Sequence, residues 1–370
     1  MCVKPKQITT PTGHLIYVPC GKCLDCQNQS RSEWVLRCKY ELQVNKHAYF
    51  VTLTYDNKFL PAAYMDYEEK QSVLLDIKLG LKKDYSDFLL DKNDLSFFLK
   101  RLQDDYQRTF HTVLYNDVVG IRKQLAIARK EDNIELICRC KSWLKKNPLP
   151  KLRYMATGEY GKLSKIPHYH ILLFTKDKLS ELDVKKMCER QWRLGIVDVE
   201  IPKSNEAVFN YVSKHQIKED FGSEFQNQVS PIFKKCSTYN GGIGYNLRND
   251  VTIRNIYAKR DEGEPQVVKL PYNKDVNVFP FPRYVKKFLH PNNLSFIELS
   301  KLESDSTDRV LSMLTANGYH FTVNDVGSDS YLAAIKAVFH KNSVKDFNEK
   351  QNYFKNKYIN KLLKNRKYGR

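Results

Sequence analysis

The stretch that most constrains this 370-residue chain is residues 153–174, RYMATGEYGKLSKIPHYHILLF, which predicts two strands joined by a polar turn. Side chains alternate faces along a strand, so His168 and His170 project to one side while Tyr169 points to the other. A hairpin would bring Glu159 of the first strand near the two imidazoles. Two nitrogens and a carboxylate oxygen suit Mg²⁺, Mn²⁺ or Zn²⁺. Such histidine pairs also arise by chance as surface or core residues, so the metal site is a hypothesis.

The charge of the chain indicates a polyanionic partner. It has 61 Lys and Arg against 42 acidic residues, a formal net charge of +19. Its 23 Tyr and 19 Phe offer rings on which unpaired bases can stack. We find neither an apolar window of about 18 residues nor a signal-peptide core. We therefore expect a soluble, intracellular protein that binds nucleic acid and no membrane.

Nine cysteines without a secretory signal argue against a disulfide framework. The motif CGKCLDC places three of them two residues apart, before a predicted helix: Cys20, Cys23 and Cys26. These thiolates predict a structural Zn²⁺ site with Cys38 or His14 as the fourth ligand, or, as a weaker alternative, an iron–sulfur cluster. The other interpretation is a reduced loop, because a second C-x₂-C pair is missing. The remaining five cysteines, Cys2 among them, are interpreted as incidental.

Residues 47–55, HAYFVTLTY, predict a central strand. Thr52 and Thr54 share one face of it, where their hydroxyls would bind a nucleic-acid backbone, unless threonine is there for strand propensity alone. Residues 57–150 lose strand character and predict a mainly helical insertion. Within it, DLSFFLKRLQDDY predicts a helix with Asp94 as its N-terminal cap.

After the histidine strand, residues 179–192 predict a helix, residues 194–201 a strand, and residues 204–218 an amphipathic helix capped by Ser204. Tyr211, Lys214 and His215 are neighbours on this last helix. A tyrosyl oxygen can attack phosphorus where a cation neutralises the phosphate. A tyrosine on such a helix is, however, more often a packing residue.

These features together resemble the HUH endonucleases and, more narrowly, the replication initiation proteins of small single-stranded DNA phages of the gokushovirus and microvirus group. Short blocks in the family's order carry the resemblance: VPCGKCLDC with SRSEW, VTLTYD, FLKRL, GEYG with PHYHILLF, YVSKH, GGIGYN and FPRYVKK.

The resemblance implies an α+β fold, with a central antiparallel sheet and flanking helices. The nicking domain would span residues 1–260, including the helical insertion, and a basic, mainly helical region would span residues 261–370. The basic C-terminal tail with its interleaved tyrosines is expected to follow single-stranded DNA, or to be a solvated helix.

The resemblance also implies a mechanism. His168, His170 and Glu159 would bind Mg²⁺ or Mn²⁺, and Tyr211 would attack single-stranded DNA at the phage origin, leaving a 5′-phosphotyrosyl link and a 3′-hydroxyl primer. Lys214 would stabilise charge on the phosphate, and a reverse transfer would rejoin the displaced strand. Residues expected to bind DNA are Thr52, Thr54, Lys165 and Arg283. The expected setting is the bacterial host cytoplasm, with host replication machinery as a partner.

The sequence departs from this family at one position. Many of these initiators carry two tyrosines four residues apart, and His215 stands at the second position. Three alternative functions stay open: a noncatalytic single-stranded nucleic-acid-binding protein, a related relaxase or transposase, and a zinc-dependent hydrolase that forms no covalent adduct.

Overall fold

The computed structural model describes residues 2, 5–9, 15–62, 65–216, 222–258, 267–272, 275–280, 285, 296–342, 344–345 and 348. The chain divides into two compact units, residues 36–247 and residues 1–35 with 248–370. The N-terminal 35 residues thus group with the C-terminal region, which a division at residue 260 did not anticipate.

The helices and strands follow one another along the chain as β1 Lys6–Thr9, β2 Leu15–Val18, α1 Leu24–Val44, β3 His47–Tyr55, α2 Tyr67–Lys78, α3 Lys92–Phe110, α4 Thr112–Lys130, α5 Ile134–Lys146, β4 Arg153–Tyr160, β5 Pro167–Thr175, α6 Glu181–Gln191, β6 Gly195–Glu200, α7 Asn205–Gln216, α8 Glu224–Val229, β7 Phe233–Cys236, α9 Val251–Ala258, β8 Val267–Tyr272, β9 Asp275–Pro280 and α10 Phe296–Thr315. Residues 329–342 are also helical.

The unit formed by residues 36–247 is built on a five-stranded antiparallel sheet of order β6-β3-β5-β4-β7. The predicted α+β class and the interior position of β3 are confirmed. Along β3, Val51, Leu53 and Tyr55 are buried, and the threonines between them are partly exposed. This alternation gives the sheet one core face and one face for the site.

Helices α3 and α6 cover the core face of the sheet. Leu95, Phe98 and Leu102 of α3 pack with Tyr169 and Ile171 of β5 in one hydrophobic core. The insertion is mainly helical, as predicted, and comprises α2 to α5.

The predicted N-terminal cap of α3 was wrong. Asp91 caps this helix by accepting a hydrogen bond from the backbone N–H of Asn93. Asp94 lies inside the first turn, where its carboxylate accepts a hydrogen bond from the hydroxyl of Tyr55 at 2.7 Å. The helix therefore begins earlier than its apolar stripe.

A buried ion pair positions β4. Arg153, the first residue of the strand, donates through Nε to Glu41 of α1 at 3.1 Å and through its other nitrogens to the carbonyls of Tyr239 and Gly242. Glu41 in turn accepts a hydrogen bond from the N–H of Gly244 at 2.7 Å. The glycine-rich segment GGIGYN is thus a structural connection between α1 and β4.

The other unit contains the hairpins β1–β2 and β8–β9 and a small core. Val310 and Leu314 of α10 pack there with Tyr331 and Ile335, and Tyr17 of β2 packs against them. The region after residue 260, predicted to be mainly helical, therefore also contains a strand pair. The basic tail lies outside the described residues. Within the described part of the chain, every helix is too short or too polar to cross a membrane.

Candidate active site

The register of the sheet brings the predicted metal ligands together. His168 of β5 lies opposite Glu159 of β4, and His170 lies opposite Thr157 of β4 on one side and Thr52 of β3 on the other. Directly paired residues in a sheet project to the same face. The strands therefore place both imidazoles and the carboxylate on one surface, as the sequence predicted.

The geometry of this group suits a divalent cation. One ligand atom from each of Glu159, His168 and His170 lies within 4.8 Å of the others. Glu159 is buried, whereas both histidines are partly exposed. Oε2 of Glu159 and Nε2 of His170 are 3.8 Å apart. Two imidazoles and one carboxylate are a donor set for Mg²⁺, Mn²⁺ or Zn²⁺.

Neighbouring polar groups orient these three side chains. Nδ1 of His168 is 3.0 Å from the carbonyl oxygen of Ile166. A carbonyl only accepts, so Nδ1 carries the proton and Nε2 carries the lone pair. Nδ1 of His170 is 3.1 Å from the hydroxyl of Thr52, and the hydroxyl of Thr157 donates to Oε1 of Glu159 at 2.9 Å. Such contacts fix the ring orientation that a metal ligand needs.

Tyr211 stands beside the histidine pair. Its ring lies edge-on to His170, with centroids 6.2 Å apart, and stacks on Phe50 of β3 at 4.3 Å. Its hydroxyl oxygen is buried, and burial raises the pKa of Tyr211 above its ordinary value. Helix α7 carries the tyrosine, and the hydroxyl of Ser204 accepts from the N–H of Ala207 at its start, as predicted.

Two residues predicted beside Tyr211 are described only by their backbone. Lys214 and His215 lie in the last turn of α7, and their side chains fall outside the described part of the chain. Their proposed roles therefore remain predictions.

The residues predicted to bind DNA are dispersed. Thr52 contacts His170, and Thr54 lies one strand repeat away, opposite His168. Lys165 lies in the turn between β4 and β5 with a φ of 57°, and its N–H donates to the carbonyl of Gly161. Arg283 lies outside the described residues.

Four residues on the histidine face were missed from the sequence. Thr157 binds Glu159 and Phe50 stacks on Tyr211, while Asp198 of β6 pairs with Thr52 and Lys234 of β7 pairs with Thr157. The alternation in VTLTY already marks Phe50 as sharing a face with Thr52. Asp198 and Lys234 depend on the strand order, which alternation does not reveal.

A second group of potential ligands lies at the N-terminal end of the chain. Among the described residues, the sulfur atoms of Cys2, Cys20, Cys23 and Cys26 lie within 4.8 Å of one another. We call this group the cysteine cluster. Cys38, predicted as a fourth ligand, is not a member: it follows Cys26 by 12 residues in the same helix, a rise of about 18 Å. Cys2, interpreted as incidental, takes that place. His14 lies outside the described residues.

Comparison with known proteins gives consistent relatives. Residues 109–220 match the family of phage replication-associated proteins described under the name ORF2. This segment includes β4, β5 and α7, and so it contains Glu159, both histidines and Tyr211. No solved structure matches the chain.

Two curated phage proteins are similar to the chain. Replication-associated protein VP4 of Bdellovibrio phage phiMH2K is 26% identical over 187 residues, which cover 47% of this chain and 41% of that protein. Replication-associated protein ORF2 of Spiroplasma virus 4 is 25% identical over 158 residues, which cover 42% and 31%. The chain thus spans less than half the length of either relative. These matches confirm the resemblance of the chain to phage rolling-circle replication initiators, with residues 109–220 as the segment that carries the replication-associated family's sequence.

Proposed function

We propose that this protein is a replication initiator that nicks single-stranded DNA at a phage origin and later rejoins the displaced strand. The observation that carries the proposal is the convergence of Glu159, His168 and His170 within 4.8 Å, with the ring of Tyr211 beside His170. The similarity to replication-associated proteins supports the same assignment. The site is proposed to be of the HUH type.

Glu159, His168 and His170 would hold Mg²⁺ or Mn²⁺, since the site combines imidazole with a hard carboxylate oxygen. A divalent cation bound there supplies positive charge that neutralises a scissile phosphate. The partial exposure of both histidines leaves the site open to a strand of DNA. A net charge of +19 favours approach of the polyanion.

Tyr211 is the proposed nucleophile. Its oxygen would form a bond to phosphorus as the bond from phosphorus to the 3′ oxygen breaks. The phenolic proton is lost to the medium, and the departing 3′ oxygen gains one to become the hydroxyl primer. Because burial raises the pKa of Tyr211, its hydroxyl keeps its proton at neutral pH in the metal-free protein. Lys214 would stabilise charge on the phosphate.

Rejoining the strand requires a second transfer. With His215 in place of a second tyrosine, we propose that termination uses a tyrosine elsewhere in the chain, a second protomer or a host step. Thr54, Lys165 and Arg283 remain proposed DNA contacts. The proposed setting is the cytoplasm of a bacterial host, with its replication machinery.

A covalent-adduct assay tests this proposal. The full-length protein is incubated with labelled single-stranded oligonucleotides that tile the phage origin, with Mn²⁺ or with a chelator, and resolved on a denaturing gel. We expect a metal-dependent protein–DNA adduct that Tyr211→Phe and His168→Ala abolish. Tyr115→Phe, in α4, is the matched control and should form the adduct normally.

Each other outcome selects a different function. Cleavage without an adduct would indicate a metal-dependent hydrolase, and binding without cleavage a noncatalytic DNA-binding protein. An adduct formed by Tyr211→Phe would show that another residue is the nucleophile. Preference for plasmid transfer origins or transposon ends would indicate a relaxase or transposase.

A further inference from the structure

The four sulfur atoms of the cysteine cluster are spaced for a metal ion. Sγ of Cys23 is 3.8 Å from Sγ of Cys2, and Sγ of Cys20 is 3.9 Å from Sγ of Cys26. A disulfide would need sulfur atoms about 2.05 Å apart. A tetrahedral Zn²⁺ with Zn–S bonds of about 2.3 Å holds its sulfur atoms about 3.8 Å apart. The separations therefore match shared coordination and not a covalent bond.

Backbone amides point at these sulfur atoms. The N–H of Cys20 donates to Sγ of Cys2 at 3.2 Å, and the N–H groups of Lys22 and Cys23 donate to Sγ of Cys20 at 3.4 and 3.3 Å. Donors of this kind stabilise the negative charge of a thiolate, which is the form that binds metal. The loop is thus folded around sulfur atoms that act as acceptors.

We propose that Cys2, Cys20, Cys23 and Cys26 bind one structural Zn²⁺, which fastens the first residues of the chain to the start of α1. Four thiolates complete a tetrahedral shell, so the site is closed to substrate and serves the fold. A multi-iron cluster would place its thiolates on different metal atoms, and therefore further apart than these pairs.

The hairpin β1–β2 explains why a metal is needed here. All four residues of β1, Lys6–Thr9, are exposed, so this strand buries no apolar side chain that would hold it in place. A two-stranded hairpin is marginally stable by itself. Lys6 pairs with Val18, and Cys2 and Cys20 flank that end of the hairpin. Zinc would therefore anchor its open end.

This site is independent of the proposed nicking reaction, because it shares no residue with the group formed by Glu159, His168 and His170. Loss of either site in an experiment leaves the other one to be measured. The readout is metal content, which does not depend on DNA cleavage.

Elemental analysis of the full-length protein, purified without added metal or chelator, tests the proposal. We expect one zinc per chain after exhaustive dialysis, and near-complete loss of zinc in Cys2→Ser and Cys23→Ser. Cys38→Ala should keep its zinc, which separates Cys2 from the ligand expected from the sequence. Cys138→Ser is a matched control, because Cys138 is exposed and outside the cluster.

Two measurements do not depend on whether the variants fold. In the unmodified protein, the four cluster thiols should resist alkylation until a chelator is added, whereas Cys138 reacts at once; peptide mass spectrometry identifies the labelled sites. Replacement of zinc by Co²⁺ should give the thiolate-to-cobalt charge-transfer band of a four-sulfur site. A substoichiometric zinc content, iron in place of zinc, or zinc retained by Cys2→Ser and lost by Cys38→Ala would overturn the assignment.

Discussion

The hydroxyl of Thr52 lies 3.1 Å from Nδ1 of His170, across the ladder between β3 and β5. This contact orients the imidazole so that Nε2 is directed toward the carboxylate of Glu159, 3.8 Å away. Thr52 was expected from the sequence to contact DNA. Its position assigns it a different task, the support of a proposed metal ligand.

Replacing Thr52 by valine should weaken Mn²⁺ binding by about 10- to 100-fold, because the shape of the side chain is kept while its contact with His170 is lost. Calorimetric titration of the metal measures this effect. Thr54→Val, the same change on the same face, should bind Mn²⁺ normally. If Thr52→Val keeps its metal affinity but loses DNA affinity in the absence of metal, the original interpretation of Thr52 is right.

Glu159→Gln should abolish stabilisation by metal. At free Mn²⁺ of 100 times the dissociation constant, binding to the folded state adds about 2.7 kcal/mol to the unfolding free energy, which raises the melting temperature. The variant should show no metal-induced shift, while its metal-free melting temperature is equal or higher because a buried charge is removed. Glu200→Gln, an exposed position on the same face of the sheet, should retain the shift. An unchanged shift in Glu159→Gln would exclude Glu159 as a ligand.

Glu41→Gln should be strongly destabilising. It would leave the guanidinium of Arg153 buried without its charged partner, at a cost of about 3–5 kcal/mol. Glu135→Gln breaks a pair with Arg139 in which both side chains are more than 70% exposed, and should cost less than about 1 kcal/mol. Urea unfolding of both variants compares them. Similar midpoints would mean that the buried pair contributes no more than a surface pair.

Gly244→Ala tests the glycine-rich segment. Gly244 has a φ of +70°, and a Cβ there would lie 2.6 Å from the carbonyl oxygen of Arg37 in α1. Gly80 has a φ of +75° with open space around the same position, so Gly80→Ala introduces the backbone strain alone. We expect the midpoint of urea unfolding to fall further for Gly244→Ala than for Gly80→Ala. Equal losses would show that the approach to Arg37 adds nothing.

Local patterns predicted much of the site. Strand alternation placed His168 and His170 on one face, and a short hairpin turn fixed the register that brings Glu159 beside them. The start of α3 was misassigned because Asp91 and Asp94 both precede apolar residues, and only the backbone path shows which carboxylate reaches a free N–H. The fourth member of the cysteine cluster was misassigned because proximity in sequence favoured Cys38.

The sequence by itself determined the elements whose cause is local: the histidine strand, its partner, the amphipathic helix of Tyr211 and the basic charge. The tertiary structure decided which distant elements meet. It set Thr52 against His170, Phe50 against Tyr211 and Cys2 beside Cys23. Periodicity encodes which face a side chain takes, but the strand order and the return of the N-terminus depend on packing between segments far apart in the chain.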